Sequence, residues 1–244
     1  MANLHKELEY KFQEYPNIKH KMLKHPVFHK FLAKMTDEQT NLVEDALDDK
    51  VKIIFINAKS GTGKTMMAVM IAYALYLDSN YQKELLYVAS PVQENALGFT
   101  AGSIQQKEAK YMTPLYDALE ELNMVPEQVI RDEENFENQK ENEVWCNTKT
   151  HAYVRGTNVK NKVVILDEAQ NNTKNELKKV LTRIHNNSKV FVIGHDGQTD
   201  LKDTRKSGFI PYMKWFENES YARTHKLSHN FRGVIAVHAD NLEW

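Results

Sequence analysis

Cysteine is almost absent. Cys146 is the single thiol in 244 residues, which excludes an intramolecular disulfide and a cysteine-based zinc site. That suits a reducing compartment, and the chain reads as soluble and cytoplasmic. Long apolar runs are absent too: none approaches the ~18 residues a membrane helix needs. The charged opening MANLHKELEYKF does not read as a signal peptide. Neither sign of charge dominates, with 32 Lys+Arg against 33 Asp+Glu. Nothing global therefore advertises nucleic acid, although a neutral total can hide a basic face. No internal repeat and no Pro/Gly/Ser linker divides the chain. What is present is 41% hydrophobic and 27% charged sequence, enough for a core and incompatible with disorder.

Residues 1–35 differ from the rest, holding seven Lys, four His and three Glu. Pro16 and Pro26 interrupt the stretch, so it reads as a basic N-terminal arm of short helices. A solvated arm and a phosphate-contacting arm both fit that composition. From residue 36 the pattern becomes apolar strand, turn and helix, repeated. VKIIFIN (51–57), ELLYVAS (84–90), KVVILD (162–167) and KVFVIG (189–194) read as buried strands, with HKLS (225–228) a weaker fifth. Residues 64–77 form a helix apolar on most faces. Leu177, Val180, Leu181 and Ile184 mark a second helix, with Lys178, Lys179 and Arg183 off its buried face. Short buried strands alternating with helices predict a mostly parallel sheet covered on both faces. Residues 127–143 carry seven acids and two bases and read as a surface insertion without chemistry.

The segment Ala58-Lys59-Ser60-Gly61-Thr62-Gly63-Lys64-Thr65 matches G-x-x-x-x-G-K-[ST], with Ala58 in place of the first Gly. It follows a strand and opens a helix, the context that motif requires. Ser60, Gly61, Thr62 and Gly63 would cradle phosphate with backbone N–H groups at a helix N-terminus, with Met66 in the first turn. Lys64 can bridge β- and γ-phosphate oxygens, and the Thr65 hydroxyl can ligate Mg²⁺. VVILDEAQ supplies the second metal carboxylate, Asp167, at a strand end. Glu168 is then placed to deprotonate the attacking water. An Asp-Glu pair at a strand end can also cap the next helix. Asn-Lys-x-Asp and LSGGQ-like sequences are missing, which disfavours a GTPase and an ABC transporter.

AKSGTGKT, LGFTAG (97–102), AYVRGT (152–157), VVILDEAQN (163–171), LTRI (181–184), GHDGQTDL (194–201) and SGF (207–209), in that order, resemble the PhoH-like family. That family comprises P-loop ATPases with motifs similar to superfamily 1 helicases, and the resemblance runs from about Gln39 to Arg232. It implies an α/β RecA-like P-loop NTPase domain over 36–244, after the arm of 1–35. It implies ATP and Mg²⁺ as cofactors and nucleic acid, RNA or single-stranded DNA, as partner. The family's habit of forming rings implies a homo-oligomer, usually hexameric, with no membrane association.

Three further residues follow from the resemblance. Gln39 stands where similar ATPases read adenine with a Gln amide. Gln198 matches a γ-phosphate sensor, although His195 occupies a position usually held by Asp, with Asp196 one residue later. Leu227-Ser228-His229-Asn230-Phe231-Arg232 resembles the helicase L-x-x-N-[YF]-R segment, making Arg232 a candidate arginine finger, with Arg183 its rival. The chain has no room for a second RecA-like domain, so the resemblance favours delivery of Arg232 to a neighbouring protomer. The expected function is ATP hydrolysis coupled to nucleic-acid remodelling or helicase-like translocation. An ATP-dependent assembly switch, or an ATPase subunit for a partner nuclease, are the alternatives.

Overall fold

VKIIFIN becomes strand β1 (Ile53–Ala58), buried along its whole length. Its side chains alternate between two cores, as a period of two demands: Ile54, Ile56 and Ala58 enter one, Ile53 and Phe55 the other. In the computed structural model the described residues are 2–80, 82–90, 110–132, 139–140, 143–150, 158–201 and 203–240. LGFTAG (97–102) and AYVRGT (152–157) lie outside them, as does most of the acidic stretch after residue 132.

Five further strands join β1: β2 (Leu85–Ala89), β3 (Cys146–Thr150), β4 (Val163–Leu166), β5 (Lys189–Gly194) and β6 (Ala222–Leu227). Their order is β3-β2-β4-β5-β1-β6 and every pairing is parallel. Ten α-helices lie among the described residues. Three belong to the arm: α1 (Ala2–Lys11), α2 (Pro16–Lys21) and α3 (His29–Lys34). Then come α4 (Asp37–Leu47), α5 (Lys64–Asp78), α6 (Thr113–Glu121) and α7 (Pro126–Val129). The last are α8 (Lys174–Leu181), α9 (Phe209–Phe216) and α10 (Val234–Asp240). One face of the sheet packs on α5, α6 and α4; the other packs on α8 and α9. An all-parallel sheet covered on both faces, with one strand between the P-loop strand and the DEAQ strand, is the RecA-like P-loop fold.

The arm departs from the solvated alternative. Leu8, Phe12, Ile18, Met22, Phe28 and Leu32 are fully buried in the same core as α5. Two of its lysines, Lys11 and Lys21, serve this packing. The Lys11 ammonium donates to the carbonyls of Leu32 at 2.9 Å and Met35 at 3.2 Å, satisfying the end of α3. Strand β3 (CNTKT) was invisible to pattern reading because it is a mostly polar edge strand whose register is set by β2. The start of the acidic stretch is structured rather than free: the Trp145 N–H donates to Val129 and the Arg131 N–H to Cys146, joining it to that edge.

The opposite end of the sheet, where the strands begin, holds a buried base. Lys189 is 3% exposed and donates to the carbonyls of Ala46 and Asp48, capping α4. Burial, reinforced by the Lys21 charge, pushes its pKa down to about 7. Between pH 7 and about 10 the unfolded chain therefore holds a proton that the folded chain lacks. Folded stability should rise with pH across that window, because the unfolded state binds more protons. Lys189→Met should flatten the rise. Melting curves of both proteins at several pH values check this, and parallel trends would mean that Lys189 titrates as in the unfolded chain.

Candidate nucleotide-binding site

β1 ends at Ala58 and the chain turns through 59–63 into α5. Gly61 (φ 82°) and Gly63 (φ 78°) both adopt the left-handed conformation that side chains disfavour. The Thr62 hydroxyl donates to the Lys59 carbonyl at 2.9 Å and closes the turn. Lys64 and Thr65 then stand on the first turn of α5 and Met66 packs against its core. The N-terminus of α5 thus opens directly behind the turn.

β4 delivers Asp167 to the same end of the sheet. Asp167 is 2% exposed, and a buried carboxylate must be hydrogen-bonded. Its Oδ2 accepts from Thr65 at 2.9 Å and from the Tyr87 hydroxyl at 2.7 Å, while its Oδ1 accepts the Glu168 N–H at 2.9 Å. Burial, then the Asp167 charge, pushes the Tyr87 hydroxyl well above its ordinary pKa, so it stays a donor. Tyr87 was not singled out from the sequence, where it reads as one more strand aromatic. A hydroxyl and a carboxylate oxygen 2.9 Å apart, at the foot of the 59–63 turn, are a hard-oxygen pair of the kind that suits Mg²⁺.

Glu168 is half-buried and sits at φ 51°, a left-handed conformation that costs a non-glycine residue about 1 kcal/mol or more. The Gln170 amide donates to one Glu168 oxygen and accepts the His195 N–H at 3.2 Å. Gln170 thereby ties the candidate base to the end of β5. The loop after β5 is pinned on both sides. Asp196 exchanges hydrogen bonds with Asn57 of β1 at 3.0 and 3.2 Å, and Asp200 with Asn171 at 3.2 and 2.8 Å. Gln198 lies exposed in the loop between the two anchors. Asp196, one residue beyond the expected position, makes the contact to the P-loop strand. His195 is partly buried at the strand end.

The C-terminal segment folds back onto its own P-loop. The Phe231 N–H donates to the Gly61 carbonyl at 2.9 Å, and the Asn230 amide reaches the Ser60 carbonyl at 3.5 Å. A Cβ on Gly61 would stand 2.5 Å from Asn230 Oδ1 and 2.7 Å from the Arg232 methylenes. Gly61 is thus required by this strap as well as by its φ. Glu38 holds the strap's other end, accepting the Ser228 N–H and hydroxyl at 2.7 Å each. Those two donors hold the Glu38 carboxyl below the usual range. Gln39 beside it is buried and caps α4 reciprocally with Thr36, its Nε2 3.7 Å from where a Gly63 Cβ would be. Arg183, the rival finger, is not brought here. It follows α8 toward the strand-start edge, where its carbonyl accepts the Val159 N–H ahead of β4.

The profile of the family described as "PhoH-like protein" matches residues 31–234. The chain belongs to the PhoH-like family. It is 37% identical over 161 residues to a PhoH-like protein of a Synechocystis species, covering 65% of this chain and 46% of that one. Protein PhoH of Escherichia coli is 32% identical over 184 residues, covering 71% and 47% respectively. Protein PhoH2 of Bacillus subtilis is 27% identical over 217 residues, covering 84% and 46%. The chain thus spans about half the length of these relatives. Among solved structures, the helicase domain of Pyrococcus furiosus Hef aligns at a TM-score of 0.45 with 15% identity, over 82% of this chain and 39% of that one. No helix among the described residues is long and apolar enough to cross a membrane.

In this PhoH-like chain the strap is held at two points, and they can be separated. Glu38→Ala removes the acceptor for both Ser228 donors but leaves the P-loop contacts. Amide exchange at Ser228, Phe231 and Arg232 should accelerate about fivefold, the equivalent of ~1 kcal/mol for solvent-screened bonds. Exchange in α5 should not change. Unaltered exchange along the strap would show that Gly61 alone secures it.

Proposed function

We propose that this PhoH-like chain is a Mg²⁺-dependent ATPase whose hydrolytic groups all come from one polypeptide. The observation that carries the reading is the meeting of four segments at one mouth: the P-loop, the Asp167-Glu168 turn, the loop of Gln198 and the strap of Arg232. Ser60, Gly61, Thr62 and Gly63 cradle the phosphates, and Lys64 clamps the β- and γ-phosphate oxygens. Thr65 and Asp167 hold the metal, which when bound neutralises charge on those oxygens. Gln39 supports ATP selectivity from its place behind Gly63.

Glu168 takes a proton from the attacking water as the water oxygen bonds to the γ-phosphorus. The bond from phosphorus to the β–γ bridging oxygen breaks, and that oxygen leaves on ADP. Gln170 engages one Glu168 oxygen, which leaves the other for the water. Gln198 senses the water or γ-phosphate, and Arg232 supplies positive charge as the transition state spreads its own. The PhoH-like resemblance supports coupling of this cycle to RNA or single-stranded DNA. A homo-oligomer, as in ring-forming relatives, is supported by apolar surface around Arg232: Phe231 is 53% exposed, and Val234 and Ile235 are 84% exposed.

Lys64→Ala should abolish turnover, and Glu168→Gln should retain ATP while hydrolysing it about 10²–10⁴-fold more slowly. Filter-retained nucleotide and phosphate release report the two effects. Wild-type hydrolysis by Glu168→Gln would remove Glu168 as the base. On this reading Arg232 acts on its own P-loop, whereas the family resemblance implies delivery to a neighbouring protomer. Mixed oligomers of Lys64→Ala and Arg232→Ala chains should stay inactive, because each chain lacks one half of its own site. Recovered activity in the mixture would place the working Arg232 on a neighbouring protomer.

A further inference from the structure

The basic residues fall into groups that differ in how their charge is used. In the arm, Lys11 caps α3, Lys21 pairs with Asp49 at 2.8 Å and Lys24 pairs with Asp78 at 3.3 Å, while Lys6, Lys19, Lys30 and Lys34 are exposed and scattered over three short helices. At the strand-start edge, Lys189 is buried against carbonyls and Lys162 is paired with Glu84. Along α8 and the following turn the bases are left over. Lys174, Lys178, Lys179, Arg183 and Lys206 are all exposed, and their side chains make no ion pair with a described residue. The acids near them are occupied: Glu176 accepts from Thr173 at 2.8 Å in a capping box, and Asp203 accepts from Arg205 at 2.9 Å.

The spacing arranges these charges. Leu177 and Val180 turn inward to the core. Lys174 and Lys178 are four residues apart on one row of α8, a rise of about 6 Å, with Lys179 on the adjacent row and Arg183 in the turn that follows the helix. Like charges at that separation repel, and a polyanion would relieve the repulsion. The face is also joined to the nucleotide site. The Gly208 N–H donates to the Asn172 carbonyl at 2.8 Å, and a Cβ on Gly208 would meet the Lys174 backbone at 2.9 Å. Asn171, three residues past Glu168, is paired with Asp200 of the Gln198 loop.

We propose that α8 and the Thr204–Lys206 turn form the docking surface for the phosphate backbone of single-stranded nucleic acid. The assignment rests on the nucleic-acid reading above and adds its location. It also transfers to α8 the role that composition alone offered to the arm. Lysine and arginine rows that neutralise phosphates release counterions, so affinity through this face falls with salt.

The test uses the full chain and fluorescein-labelled oligouridylate or oligothymidylate, titrated by anisotropy between about 50 and about 200 mM salt. The triple variant Lys178→Glu, Lys179→Glu and Arg183→Glu changes only exposed side chains, and its circular dichroism should match wild type. It should bind whichever polymer the wild type binds at least about tenfold more weakly, with a shallower salt slope by ~0.7 per lost contact. Lys19→Glu with Lys34→Glu, on the arm, should leave affinity unchanged within about twofold. Wild-type affinity in the triple variant, or a larger loss in the arm variant, would overturn the surface while leaving nucleic-acid coupling intact. Binding of neither polymer by the wild type would overturn the coupling and the surface together.

Discussion

The buried charge of Asp167 is the constraint around which the site is organised. A carboxylate removed from water is tolerated only when donors surround it. Here the donors come from three elements: Thr65 on α5, Tyr87 on β2, and the Glu168 amide of the turn itself. The same bonds that satisfy Asp167 therefore fix the P-loop helix against β4, and they bend the chain so that Glu168 leaves the strand in a left-handed turn. Ser90 adds a hydroxyl to the Asp167 carbonyl at 2.8 Å.

The strand order turns that constraint into a reactive geometry. Placing β5 between β1 and β4 sets the P-loop strand and the Asp167 strand two strand spacings apart, about 9.6 Å. The loop leaving β5 bridges the gap, and two reciprocal amide–carboxylate pairs hold it to both neighbours. The C-terminal strap closes the opposite side of the P-loop, spanning from Glu38 to Gly61. Residues 228–232 thus lie against the P-loop of the same chain.

The strands β1, β2, β4 and β5 were legible because short, continuous apolar runs between turn signals read as buried strands, and the P-loop because its spacing is tied to a backbone shape. Edge strand β3 was not, since Asn147, Thr148 and Lys149 carry no burial pattern. The burial of the arm was hidden by its lysines, whose charge suggested solvent while Lys11 and Lys21 were closing helix ends. Asn57, Tyr87 and Gln170 escaped notice for a different reason: their importance lies in partners 80 to 139 residues away, or in a two-residue reach back to Glu168. The direction from which Arg232 arrives was likewise a tertiary fact. Family likeness supplied the residue, and the Gly61 contact supplied the geometry.

The central claim is that this assembly of residues releases phosphate from ATP. The most direct measurement is phosphate release by the full chain from ATP with Mg²⁺, with EDTA in its place, and with GTP. The account predicts multiple turnovers with ATP and Mg²⁺, none with EDTA, and slower release from GTP. Bound ATP with no phosphate released, whether or not single-stranded nucleic acid is present, would contradict it and leave the site as a nucleotide switch.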